Sequence, residues 1–243
     1  MAAAVGWGAL AASSLVIGAA LGLLKRWPSR WVGVVLAFGA GALISAVSFE
    51  LAAEGTRVGG AASVGVGLAL GAFSYFFASR RLDRGQDQRA SSQAGSGAAA
   101  SSGTALALGA TLDGIPEQLV LGIGLASGEG ISASLLLAIF ISNLPESIGS
   151  ASEMHAGGRD SRWIMRLWVI VAMVVTIATV AGYALADVTG DVFTAGIDGF
   201  AAGALLVMLI DTMIPDAAKD AGRVAGLVSV LGFALAAGLS NLS

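Results

Sequence analysis

The 243-residue chain contains no cysteine and a single histidine, and only 12% of its residues are charged. Without cysteine, neither a disulfide framework nor a thiolate metal site can form. One histidine cannot supply the paired imidazoles of an HExxH zinc protease. The Gly-x-Gly-Asp motif of an intramembrane aspartyl protease is missing as well, so the sequence does not read as an enzyme. Charge at half the ~25% of an average soluble domain points to lipid rather than water as the solvent. No Lys or Arg precedes the first apolar run, and no cleavable signal is expected.

What the chain does have is apolar surface and glycine. Hydrophobic residues make up 56%, the mean hydropathy is +0.83, and 35 residues are Gly, most of them inside apolar runs. Small residues let membrane helices approach closely, where van der Waals contact is the main attraction left. A helix that crosses a bilayer needs about 20 mostly apolar residues. Eight stretches qualify: 5–24, 31–53, 60–79, 103–126, 131–152, 163–186, 192–213 and 224–242. The expected fold is all-α, a single polytopic membrane domain over 1–243. Helices 4 and 5 are the least apolar, and a re-entrant element around Ser127–Gly130 is the alternative to a break between them.

The basic residues test the count independently. Lys25, Arg26 and Arg30 fall between helices 1 and 2, and Arg80, Arg81, Arg84 and Arg89 between 3 and 4. Arg159, Arg162 and Arg166 follow helix 5, while Lys219 and Arg223 follow helix 7. With eight spans all of these share one face and only Arg57 lies on the other. Cytoplasmic loops are enriched in Lys and Arg, so a cell-membrane protein with both termini outside is expected. The stretch 80–102, polar and then Gly/Ser/Ala-rich, reads as a flexible cytoplasmic loop.

Helix 2 carries AFGAGALISAVSFELAAE from Ala37, and helix 7 carries GFAAGALLVMLIDTMIPD from Gly199. Phe38, Gly41, Ala42 and Leu43 align with Phe200, Gly203, Ala204 and Leu205, and Glu54 aligns with Asp216. Because helix 2 runs outward and helix 7 inward, helices 1–3 and 6–8 would form an inverted repeat around helices 4 and 5. Inverted repeats flanking a midplane site are a recurrent transporter plan.

Helix 4 contains LDGIPEQ (Leu112–Gln118) and helix 5 contains SNLPES (Ser142–Ser147). Asp113 and Glu117 share one helix face, as do Asn143 and Glu146. All four lie near the bilayer centre, where a charge costs about 2.5–3.5 kcal/mol on the lenient insertion scale. No Lys, Arg or His in those helices balances them, so protons or a metal ion must. Pro116 and Pro145 lack the N–H that would bond the carbonyls of Leu112 and Ile141, and freed carbonyls are tolerated where they line a cavity or an ion. The competing structural reading is a pair of proline kinks whose protonated acids hold helices together. A competing function is a proton-coupled carrier or channel for another solute, with the same acids as a relay.

The twin Pro-Glu motifs resemble those of the ZIP (Zrt/Irt-like) divalent-metal transporters, as do the FAAGALL run of helix 7 and its following acid, the eight spans and the long loop after helix 3. The resemblance implies transport of divalent metal cations into the cytoplasm, zinc first, with manganese, iron or cadmium as further substrates. It implies a metal site of Asp113, Glu117, Asn143 and Glu146, with Ser142 beside them. The usual helix 4 His is Asp113 here, the usual Asn is Gly114, and the glycines after Pro-Glu are Gln118 and Ser147. A second adjacent metal position would lose its ligand at Gly114. Glu50 stands where the family often has His. Glu50 and Glu54 are expected at an entrance, Asp211 and Asp216 at an exit, and Asp198 ranks as a weaker entrance residue. Asp187, Asp191 and Glu129 read as outer-loop charges, and His155 as a loop residue. Trp7, Trp27, Trp31, Trp163 and Trp168 read as interfacial aromatics. No cofactor is expected beyond the transported metal. The expected partners are divalent cations, the lipid bilayer and a second copy of the chain, with no nucleic acid.

Overall fold

The structure, a computed structural model, describes residues 1–91, 96–126, 132–188 and 190–240, with side chains placed outside 82–106, 187 and 188. Among the described residues all regular structure is helical. Eight helices follow one another: α1 (Ala2–Leu24), α2 (Ser29–Gly59), α3 (Ala61–Ser91), α4 (Ser96–Ala126), α5 (Ala133–Ala156), α6 (Ser161–Val188), α7 (Asp191–Ala221) and α8 (Val224–Ser240). Six of them have spans long and apolar enough to cross a membrane; α8 is apolar but shorter, and α4 carries the polar LDGIPEQ. This is a polytopic helical membrane protein.

Some boundaries differ from those expected. Pro28 fixes the entry to α2, but α2 and α7 each run past the apolar stretch into polar residues, to Gly59 and Ala221. Both α3 and α4 also extend into the stretch read as a loop, to Ser91 and from Ser96. Residues 80–91 contain one Gly and no Pro, while Arg, Leu, Gln and Ala favour continuation of a helix. Trp168 is a correction. It is fully buried against Leu15, Ala107, Met154 and Ile164 rather than interfacial, whereas the other four tryptophans are exposed. Being one turn inside α6 from Trp163, it faces the bundle instead of the membrane surface. His155 lies exposed in the last turn of α5, not beyond it. Glu129 and the side chain of Asp187 lie outside the described residues.

The two aligned helices are built alike. A π-helical stretch, with one extra residue in its turn, begins at Val47 in α2 and at Leu209 in α7, positions that correspond in the alignment. Each helix then resumes α-helical form and ends on a glycine of positive φ, Gly60 at 87° and Gly222 at 63°, again equivalent positions. Only a residue without Cβ enters that region at low cost.

Packing repeats the correspondence. A Cβ on Gly41 would collide with the Ser229 carbonyl of α8, and one on Gly203 would collide with the Leu68 carbonyl of α3. Likewise Gly232 leaves room for the Phe38 carbonyl, as Gly71 does for that of Phe200. The start of α2 lies by the end of α7 (Gly33 on Asp220 and Ala221), and the end of α2 lies by the start of α7 (Gly59 on Asp191 and Ala195). The repeats therefore run in opposite directions, as an inverted pair must.

The helices sort into two groups. In one, α3 packs along α7 and α2 along α8; in the other, α1 and α6 pack on each other and on α4 and α5. The main seam between the groups is α2 against α5. At that seam a Cβ on Gly39 would sit 2.9 Å from Ser142 Cα, so the glycine brings α2 down onto the polar motif of α5.

Candidate metal site

Both polar motifs remain helical through their prolines. The four-residue spacing of Asp113 and Glu117, and the three-residue spacing of Asn143 and Glu146, turn each pair to one side. Asp113 and Glu117 are 7% and 1% exposed, Ser142 and Asn143 0% and 1%, while Glu146 is half-buried. Ser142 Oγ reaches Glu117 Oε1 at 3.4 Å but donates at 3.0 Å to the Ile139 carbonyl of its own helix. A hydroxyl has one proton to give, and the shorter bond takes most of it. Glu117 Oε2 and Glu146 Oε2 are buried without a partner. The Asn143 amide approaches Glu117, yet its Nδ2 completes no hydrogen bond. Glu146 lies within electrostatic reach of Asp113, Glu117 and Asp216.

Asp113 also has a partner on α3. The hydroxyl of Tyr75, in α3, donates to Asp113 Oδ1. Tyr75 is itself buried and lies near Glu146 and Thr212, so its hydroxyl sits where α3, α4, α5 and α7 meet. Among the described residues no three Asp, Glu or His side chains enclose an ion as they stand. Asp113 lies within electrostatic reach of both Glu117 and Glu146, and the amide of Asn143 and the hydroxyl of Ser142 lie beside Glu117. No Lys or Arg occurs anywhere from Ser96 to Ala156. An unsatisfied buried polar group costs about 1–3 kcal/mol, more when charged, and here three residues carry one on facing helices.

The residues beside the acids have structural duties. Gln118 accepts from Thr179 Oγ1 of α6 and reaches the Gly8 carbonyl of α1 at 3.5 Å. Ser147 donates to the Asn143 carbonyl at 2.8 Å and fills the space left by Gly18 of α1. These two side chains, at positions read as departures, tie α4 and α5 to their neighbours. Neither bond carried a signal in the one-dimensional pattern.

The outer candidates behave differently from one another. Glu50 is half-buried in the π-helical stretch of α2 and accepts from Ser134 at the start of α5; its Oε2 is buried without a partner. Glu54 pairs with Arg57 through two hydrogen bonds and lies near Asp198 of α7. Toward the other end, Asp216 is exposed beside Lys219 and Asp220 and within reach of Glu146, and Asp211 is exposed. Asp191 is exposed in the first turn of α7.

Fold and site together define a polytopic helical membrane protein whose central helices carry a buried, cation-free cluster of acids. No family model matches the chain. It is similar to the Arabidopsis thaliana protein named "Putative zinc transporter At3g08650", at 29% identity over 195 residues, which are 79% of this chain. The chain spans 31% of that relative's length.

Proposed function

We propose that the chain is a ZIP-type transporter that moves divalent metal cations into the cytoplasm, with Glu117 and Glu146 as the paired ligands of the transported ion. The reading rests above all on the unpartnered oxygens of Glu117 and Glu146, in a stretch without Lys or Arg. A divalent ion would neutralise both carboxylates and use the Asn143 amide oxygen and Ser142 hydroxyl as further donors. Asp113, within reach of both acids, would add a third carboxylate, and Asp216 would lie on the inner path from Glu146. Glu50, Glu54 and Asp198 would line the outer approach. The name of the Arabidopsis relative supports zinc as the first substrate. Carboxylate, amide and hydroxyl oxygens also suit harder ions, so manganese and ferrous iron would compete more strongly than at a histidine site. The distribution of Lys and Arg supports both termini outside a cell membrane.

Uptake by the protein in reconstituted vesicles, with zinc, manganese, iron, cadmium and magnesium compared, tests the proposal. Glu117→Ala and Glu146→Ala should each abolish uptake at matched protein levels, because one carboxylate cannot replace the hydration of a divalent ion. Full uptake by either variant would refute the assignment.

A further inference from the structure

We infer that the end of the bundle where α1 stops and α6 starts binds the headgroup of an anionic phospholipid, with an acyl chain along the exposed face of α6. The inference stands apart from the metal site and begins with helix register. Gly8 of α1 meets Thr179 of α6, while Leu15 and Ala19 share one buried cluster with Trp168. The two helices therefore run antiparallel. Stepping along both at about 1.5 Å per residue brings Lys25 level with Arg162, and Leu21 level with Arg166. On the third helix, Gly22 meets the Ile148 carbonyl, so the last turns of α5 reach the same end. Arg159 folds back there, its N–H bonding the Met154 carbonyl at 3.0 Å. Lys25, Arg26, Arg159, Arg162 and Arg166, from three helix ends, thus form one band.

All five are exposed, and none makes an ion pair with an acid among the described residues. Two acids, Glu153 and Asp160, belong to this end of α5 and α6, against five bases. Asp160 is already used, its Oδ2 accepting from the backbone N–H groups of Arg162 and Trp163. Indoles stand among the cations: Lys25 lies 5.7 Å from the Trp27 ring and Arg159 4.9 Å from that of Trp163. Trp27 Nε1 donates to the Leu21 carbonyl at 3.1 Å, which holds that ring at the end of α1. Tryptophan marks headgroup depth, and basic pockets between helices at that depth attract anionic headgroups. The tail has its place as well. Arg162, Arg166, Ile170, Met173 and Ile177 recur at helical spacing on one face of α6, and the last three are 53%, 54% and 66% exposed. That face is cationic at its start and apolar for the turns that follow, matching both halves of a phospholipid. A soluble phosphate would use the first half alone.

Native mass spectrometry of the purified full-length protein in detergent, titrated with equal phosphatidylglycerol and phosphatidylcholine, tests this. The unchanged protein should retain phosphatidylglycerol in preference to phosphatidylcholine. Arg162→Gln with Arg166→Gln should lower that preference about thirtyfold, the joint effect of two surface cations. Arg30→Gln with Arg223→Gln removes as much charge from the same end of the other helix group and should leave the preference as it was. Ile170→Ser with Ile177→Ser should weaken retention of both lipids, and glycerol phosphate at millimolar concentration should displace neither. Both lipids compete on one sample, so a loss of folded protein does not imitate a loss of preference. Equal retention of the two lipids by the unchanged protein overturns the inference. So does an equal fall in the Arg30/Arg223 variant, which would show diffuse charge rather than a site. Undiminished retention in the Ile170/Ile177 variant, or displacement by glycerol phosphate, also overturns it, in favour of a soluble anion.

Discussion

The α2 and α7 repeats and the α4–α5 centre solve opposite problems with the same apolar alphabet. In the repeats, glycines bring backbones together: Gly41 against Ser229, Gly203 against Leu68, Gly71 against Phe200 and Gly232 against Phe38. Contact there is dense and symmetric, as expected where packing is the main attraction between membrane helices. In the centre glycines also bring backbones together, Gly22 against Ile148 and Gly122 against Thr179, but there Glu117, Asn143 and Glu146 keep unpartnered polar atoms. Among the described residues the α2 and α7 repeats leave one such atom, Glu50 Oε2, where the centre leaves three. Structure that is costly to keep unsatisfied persists where function uses it.

The largest expected effect tests the frame. Gly41→Leu or Gly203→Leu places a branched side chain against a carbonyl, and overpacking of even a few methylenes costs about 1–3 kcal/mol; against backbone the cost is higher. Folded protein recovered from membranes should fall severalfold in size-exclusion analysis, whereas Gly226→Ala, with open space around it, should leave yield unchanged. Equal yields for all three would dissolve the distinction between frame and centre.

Orientation comes next, because an inverted repeat has a definite direction. In sealed cells Thr56→Cys should react with an impermeant thiol reagent and Gly157→Cys should not. The chain has no other cysteine to confuse the signal. The reverse pattern would invert the proposed direction of transport.

A smaller effect sharpens the chemistry of the centre. Asp113→His exchanges an oxygen donor for imidazole, which suits zinc better than manganese. The zinc-to-manganese uptake ratio should rise by about tenfold or less, a change of up to ~1.4 kcal/mol. An unaltered ratio would mean that ligand type at this position does not set selectivity.

Much of this was readable from the chain, for identifiable reasons. Lipid forces each span to be apolar and helical, so eight runs became eight helices, and PE on α4 and α5 stood out as acids without cations. The alignment of Phe38–Leu43 with Phe200–Leu205 foresaw equivalent crossings because glycine spacing is visible in sequence. The extra residue of the π-helical turns was not legible: Val47–Ala53 and Leu209–Met213 each carry an acid, Glu50 and Asp211, but no residue pattern marks the wider turn, and only hydrogen-bond geometry distinguishes it. Tyr75 passed as one more aromatic in an apolar run, although a hydroxyl among phenylalanines was a usable sign. Trp168 was misread because hydropathy places a residue along a helix but not around it.

Direct binding of zinc or manganese to the purified protein bears most immediately on the claim that Glu117 and Glu146 share one cation. Equilibrium dialysis should find saturable binding to the unchanged chain and its loss in Glu117→Gln, in Glu146→Gln and in the double variant, each of which keeps side-chain size and packing. Undiminished affinity in the double variant, with its helical content and size-exclusion profile intact, would contradict the account.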